Sequence, residues 1–208
     1  MEEMGLGRVT GVPLEEVAEV KPGPSGALLK ELGDRQDGIP VITPSDFTGD
    51  RRIDGRHVRR IPETDALKKR ATAFELRAGD IVMVRQGALG RLAITGSEHT
   101  GWIYGSSCVR IRAEASKVLP GYLAVYLARP EVLERLQGPA LSGTVPSFNA
   151  EAVRRLAVEV PVIDRQRTIV DTLAEMDAVI ATRRAVTERL ESLKPSVFAA
   201  LLEEEGTL

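Results

Sequence analysis

The chain has 208 residues, 43% hydrophobic and 4% aromatic, with 28 Lys/Arg against 30 Asp/Glu. That length fits one medium domain plus an appendage, and Cys108, the single cysteine, excludes an internal disulfide framework. With no charged-then-apolar leader and no apolar run of the roughly 18 residues a membrane span requires, a cytoplasmic protein without membrane association is expected. The net charge of −2 hides an asymmetry: residues 1–50 hold 4 Lys/Arg and 10 Asp/Glu, residues 51–117 hold 14 and 7, and residues 118–208 hold 10 and 13. The middle third is the basic part.

Val17 to Val20 precede KPGPSG (Lys21 to Gly26), a breaker-rich loop that should continue neither helix nor strand. Ile39, Val41 and Ile42 predict a short strand around Pro40, an edge rather than a centre because proline cannot donate to a ladder. GDRRIDGRHVRR (Gly49 to Arg60) then places Arg51, Arg52, Arg56, Arg59 and Arg60 with His57 against two Asp. Arginine suits DNA because its planar fork matches a phosphate or the O6/N7 edge of guanine; a solvated surface loop is the alternative. Lys68, Lys69 and Arg70 continue the basic theme on a short helix from Glu63.

AGDIVMVRQGALGRLAITG predicts a hairpin: Ile81 to Val84 as one strand, Gly87 to Gly90 as a tight connection, and Leu92 to Thr95 as the returning strand. The connection, flanked by Arg85, Gln86 and Arg91, could meet a phosphate or be an ordinary turn. In Ser107 to Arg112, alternation would turn Val109 and Ile111 inward and Cys108, Arg110 and Arg112 outward. Trp102 and Tyr104 fit either a contact surface or the core. Pro120 opens a helical run that Pro130 splits, with Tyr122, Leu123, Val125, Tyr126 and Leu127 as core. Ser142 and Thr144 in the next loop are candidate hydroxyl donors to DNA.

A short helix over Ala150 to Arg155 and a strand through Leu156, Val158 and Val160, ended by Pro161, close the globular part. Asp164 is placed as the N-cap of a helix of about 30 residues running to Leu193. Ile169, Leu173, Met176 and Ile180 form an apolar seam that Val179, Val186, Leu190, Leu193 and Val197 continue. A seam of this kind seeks a partner helix. Pro195 should stop the rod and leave Ser196 to Glu205 as a kinked or separate helix.

The order of these motifs is similar to a known family. PLEEVAEVKPG (13–23) and GIPVITPSDF (38–47), then GDIVMVRQGALG (79–90), SSCVRIR (106–112), LPGYLAVYLARPEVLERL (119–136), LSGTVPSFNAEAVRRLAVEVP (141–161) and DRQRTIVDTLAEMDAVI (164–180) resemble one target-recognition domain and one conserved helical region of a type I restriction-modification specificity subunit. Full subunits of that family carry two such units, so the chain resembles a half-length form. The resemblance implies an α+β fold, a strand-rich recognition domain over 1–163 followed by a long helical dimerisation region over 164–208. It also implies sequence-specific binding of double-stranded DNA, a partner DNA adenine methyltransferase subunit, and an optional restriction subunit.

No nucleotide-binding Gly-x-x-x-x-Gly-Lys-Ser/Thr, no amino-methyltransferase Asn/Asp-Pro-Pro-Tyr/Phe and no metal-ligand spacing among His57, His99 and Cys108 is present. No catalysis, metal or cofactor is therefore expected of this chain. The expected DNA contacts are Arg51, Arg52, Arg56, Arg59, Arg60, Arg85, Gln86, Arg91, Ser142 and Thr144. A rod of about 45 Å pairing antiparallel through Ile169, Leu173, Met176, Ile180, Val186, Leu190 and Leu193 would give a twofold homodimer reading a bipartite palindrome. The rival expectation is a helical scaffold without specific DNA readout.

Overall fold

The computed structural model describes residues 11–137 and 147–205. In chain order its strands are β1 (Val12–Pro13), β2 (Ala18–Pro22), β3 (Ile39–Ile42), β4 (Arg60–Ile61), β5 (Ile81–Val84), β6 (Leu92–Ile94), β7 (Ile103–Tyr104), β8 (Cys108–Ala113) and β9 (Ala157–Val158). Its α-helices are α1 (Asp65–Ala71), α2 (Pro120–Leu127), α3 (Pro130–Gln137), α4 (Ala150–Arg154) and α5 (Ile163–Glu205). This is the expected mixed α+β fold with a long last helix. Two compact units divide it, Met1–Gln166 and Arg167–Leu208, with the boundary inside the first turns of α5.

In the first unit the apolar run of β5 is buried along its whole length, as befits a strand covered on both faces. It lies inside an antiparallel sheet of order β2-β8-β5-β6. The predicted hairpin is β5 with β6, in the register Ile81↔Ile94, Val82↔Ala93 and Met83↔Leu92. Its connection takes left-handed backbone at Gly87 (φ 87°) and Gly90 (φ 76°). At Gly90 a side chain would also collide with Leu133 of α3, so only glycine fits there.

A second sheet has the order β4-β3-β7, with β3 antiparallel to β4 and parallel to β7. β3 is therefore central, which corrects the expected edge placement. The chain tolerates Pro40 because Val41 donates to Arg59 O on the β4 side at 2.9 Å. The missing proline N–H thus faces the β7 side, where pairing starts only at Val41↔Ile103. The predicted breaker loop is also shorter than expected, since β2 runs on through Lys21 and Pro22.

β8 overturns the alternation expected of it. Cys108 and Arg110 are buried along with Val109 and Ile111; the face that carries Cys108 is packed by the core cluster of Ile42, Phe47, Val84 and Tyr104 instead of lying open to water. Burial pushes the Cys108 thiol up to about 12, leaving it a neutral core group. Arg110 instead donates to Glu19 at 2.7 Å and to Glu75 O at 3.1 Å. Arg112 clamps the buried Asp80 carboxylate with two 2.7 Å bonds, and that pairing raises the guanidinium's pKa. Tyr104 is a core residue, its hydroxyl donating to Lys21 O at 3.2 Å, while Trp102 is half-buried. Tyr122, Leu123, Tyr126 and Leu127 are buried as expected, whereas Val125 is only half-buried.

α4 begins where Asn149 accepts from Ala152 N at 2.7 Å, a capping bond. Leu156 and Val158 then alternate inward, and β9 pairs with β1. The first turn of α5 is pinned by Gln166, fully buried, whose amide accepts from Leu119 N at 2.8 Å and donates to Lys117 O at 3.0 Å and Pro161 O at 2.8 Å. α5 starts one residue before Asp164, so that carboxylate lies in the first turn rather than at the cap, where its charge still favours the helix N-terminus.

The second unit consists of the rest of α5. The helix runs unbroken through Pro195 for 43 residues in all, not as a rod stopping at Leu193 with a separate segment after it. An internal proline costs about 3 kcal/mol by removing one backbone bond and crowding a carbonyl. Here the neighbouring residues are exposed, so water can satisfy the carbonyl that loses its donor, and Ala199, Ala200 and Leu201 are strong helix formers. At 1.5 Å per residue, the rod is about 65 Å long rather than about 45 Å.

Candidate nucleic-acid interface

The arginine-rich segment folds as a tight hairpin followed by a short helical turn. Phe47 bridges Ile53, and Thr48 N donates to Arg52 O at 2.9 Å while Arg52 N donates to the Thr48 hydroxyl at 3.0 Å. The same hydroxyl donates to the Asp50 carboxylate at 2.5 Å. The base of this hairpin is fixed to the domain. Ile53 packs against the core cluster of Ile42, Phe47, Val84 and Tyr104, Ile94 N donates to Arg51 O at 3.3 Å, and the Arg91 guanidinium donates to Phe47 O.

At the hairpin tip Arg51 has φ 63°, and among the described residues it is the one non-glycine with positive φ. A side chain in that conformation costs about 1–2 kcal/mol. Arg52 pairs with Asp50 at 3.4 Å. Arg56 holds Asp54 through Nε at 2.9 Å and Nη2 at 2.6 Å, a forked pair that drives the Asp54 carboxyl well below the usual range and raises Arg56. Arg51, Arg52, Arg56 and Arg91 thus share one loop region beside β6.

The other expected contacts lie elsewhere on the domain. Arg59 is exposed and Arg60 half-buried, with Arg60 in β4 donating to Gly38 O at 3.0 Å. Arg85 is half-buried and donates to Ser106 O at 3.1 Å. Gln86, exposed, bridges Ser147, and Phe148 N donates to Arg85 O at 3.0 Å, so the Gly87 to Gly90 turn is held against the segment preceding α4. Ser142 and Thr144 fall outside the described residues. Sequence reasoning missed Thr48, Asp50 and Asp54, which shape the loop. Their signal was present: Thr and Asp are the residues whose short side chains bond nearby backbone in turns.

The arginines of SSCVRIR are not part of this surface, since Arg110 and Arg112 brace the sheet from inside. His99 is likewise structural, buried edge-on to Trp102 at 4.9 Å with Nδ1 accepting from Gly96 N at 3.0 Å. Among the described residues no group of three or more His, Cys, Asp or Glu could hold a metal ion, and no helix is long and apolar enough to cross a membrane.

In the second unit the apolar seam faces water. Met176, Val179, Ile180, Val186, Leu190 and Leu193 are exposed, while Ile169 and Leu173 are half-buried. Beyond Pro195 the exposed set continues with Val197, Phe198, Leu201 and Leu202; the last three were overlooked because the proline was expected to end the rod.

The family model of the type I restriction modification DNA specificity domain matches residues 9–192. The type I restriction enzyme HindI specificity subunit of Haemophilus influenzae is 24% identical over 127 residues, 59% of this chain and 28% of that protein. The solved HsdS subunit from Thermoanaerobacter tengcongensis superposes with a TM-score of 0.60 at 16% identity, covering 88% of this chain and 41% of that one. A chain of a type I R-M system gives 0.63 at 20%, covering 88% and 42%. The chain therefore spans less than half the length of these relatives, and the solved structures establish the likeness of fold.

Proposed function

From the premise that this chain belongs to the type I restriction modification DNA specificity domain family, we propose that it recognises a specific sequence in double-stranded DNA and leaves the chemistry to other subunits. The observation that carries the reading is the arginine loop from Arg51 to Arg56, tied to β6 through the bond from Ile94 N to Arg51 O, with Arg52 and Arg56 exposed. Phosphate contacts from such side chains position a protein on the duplex, and base-edge contacts give it sequence selectivity. A recognition domain without a catalytic constellation needs a partner to modify the base it selects. That partner is a DNA adenine methyltransferase subunit; a restriction subunit is optional.

In this reading residues 1–163 read DNA and 164–208 pair two copies of the chain. Antiparallel pairing of α5 places two identical recognition domains on one duplex, so the target is an inverted repeat with an uncontacted spacer. A rod of about 65 Å covers at most about 19 base pairs at about 3.4 Å each, and the overlap of the two helices shortens that span.

The test is a mobility shift of duplex DNA by the purified full chain between about 50 and 200 mM salt, where a protein making several phosphate contacts loses orders of magnitude in affinity. Replacing Arg51, Arg52, Arg56, Arg59 and Arg60 together by Gln should weaken binding to every sequence and flatten the salt slope. Unchanged affinity would mean that the DNA lies against another surface. Copurification of an adenine methyltransferase would support the division of labour, whereas methylation by this chain alone would overturn it.

A further inference from the structure

The Thr48–Arg52 hairpin combines two features that an ordinary surface loop has no reason to combine. Its tip holds an arginine in left-handed backbone at φ 63°, while Gly49, two residues earlier, is not among the glycines with positive φ. The conformation that glycine adopts freely has thus been given to a long side chain instead. Its base is rigidly seated: Thr48 closes the turn with bonds to and from Arg52, Ile94 N takes the Arg51 carbonyl, Arg91 holds Phe47 O, and Ile53 is packed on the core. Unfavourable backbone persists only where the surroundings impose it, and it concentrates at sites of function.

Resting on the proposed reading that this chain binds duplex DNA, we infer that the Thr48–Arg52 hairpin is a base-reading element and that Arg51 is its specificity-determining residue. A guanidinium discriminates a guanine edge only if its fork arrives at a fixed position and angle. Left-handed backbone at a clamped tip sets the direction in which the Arg51 side chain leaves the loop, which is the preorganisation that such recognition requires. Arg52 and Arg56, each paired with a carboxylate two residues upstream, can exchange that carboxylate for a phosphate oxygen at whatever position the duplex offers.

The experiment compares full-length wild type, Arg51→Lys and Arg51→Gly, with repeated selection from a randomised duplex pool and thermal melting of each protein. Arg51→Lys keeps the charge and loses the fork. It should bind the unselected pool within about twofold of wild type while one base position of the enriched motif loses a preference of about tenfold or more. Arg51→Gly should show the same loss at that position and melt at or above the wild-type temperature, because glycine relieves the backbone. A motif identical in all three proteins, or an Arg51→Gly protein melting several degrees lower, overturns the assignment of Arg51 and leaves the DNA reading intact. A wild-type protein that enriches no motif overturns the DNA reading itself, and the inference with it.

Discussion

In β5 and β8 the side chains of Ile81, Val82, Met83, Val109 and Ile111 are sealed from water, whereas Met176, Val186 and Leu190 of α5 keep more than half of their surface exposed. The same residue types have opposite fates within one chain. In the first unit apolar surface is consumed by packed sheets and helices, and even charge is taken inside where it can be paired, as at Arg110 with Glu19 and Arg112 with Asp80. In the second unit a row of aliphatic side chains has no sheet to enter. A single helix can bury one stripe only against another surface, so the first unit reads as self-sufficient and the second as one half of a packing arrangement. The contrast can be tested from either side.

The largest expected effect is in the globular unit. Asp80 is almost wholly buried and accepts from Arg112 twice and from Arg77 N at 2.8 Å. Asp80→Ala removes two charge-assisted bonds of the half-buried Arg112, which keeps only Glu75 O, and strands one backbone donor; together these losses cost about 3 kcal/mol. Urea unfolding of the variant should show that loss. A change below about 1 kcal/mol would mean that the charges of β8 are not structural, and Arg112 would become a candidate DNA contact.

The helical unit should answer to association rather than folding. Ile180→Glu with Leu190→Glu places two charges on the exposed seam. The first unit should unfold as wild type does, within about 0.5 kcal/mol, while self-association weakens at least about 100-fold, or about 2.7 kcal/mol. Light scattering at micromolar concentration should then report wild-type dimers and variant monomers. A wild-type monomer, both with and without the methyltransferase subunit, would remove the homodimer and leave the seam to another partner.

What the sequence revealed follows the same division. The β5–β6 hairpin, the helix opened by Pro120 and split at Pro130, and the inward alternation of Leu156 and Val158 were legible because periodicity and turn residues are local signals. The position of β3 and the burial of Cys108 and Arg110 were not, since the first depends on which strands lie alongside and the second on what packs over the sheet, and no local window records either. Pro195 misled for a related reason: the local rule against proline is sound, but in a solvent-exposed helix its cost is moderate and the flanking residues favour continuation. The arginine cluster was visible as composition. Its division among a hairpin tip, a short helical turn and a strand was not, because the cross-hairpin bonds of Thr48 and the seating of Ile53 are tertiary facts.

The smallest predicted effect concerns a carboxylate that competes with DNA. Asp54 holds Arg56 in a forked ion pair on the exposed face of the loop, and any phosphate that Arg56 meets must displace it. The pairing with Arg56 depresses the Asp54 pKa far below its ordinary value. A carboxyl depressed in the folded state contributes stability that is present above the unfolded value near 3.9 and is lost as pH falls through the folded value. The loss therefore begins below about pH 4 and continues at lower pH, and Asp54 stays ionised wherever DNA binding is measured. Substitution can remove the charge there. Asp54→Asn should leave the fold unchanged, raise affinity for random duplex a few-fold, and steepen the slope of log K against log salt by at most about 0.9, the contribution of one further phosphate contact. Arg56→Gln should move both quantities the opposite way. If neither variant changes the slope, Arg56 lies off the DNA path, and the recognition surface narrows to the Arg51 hairpin and its neighbours on β6.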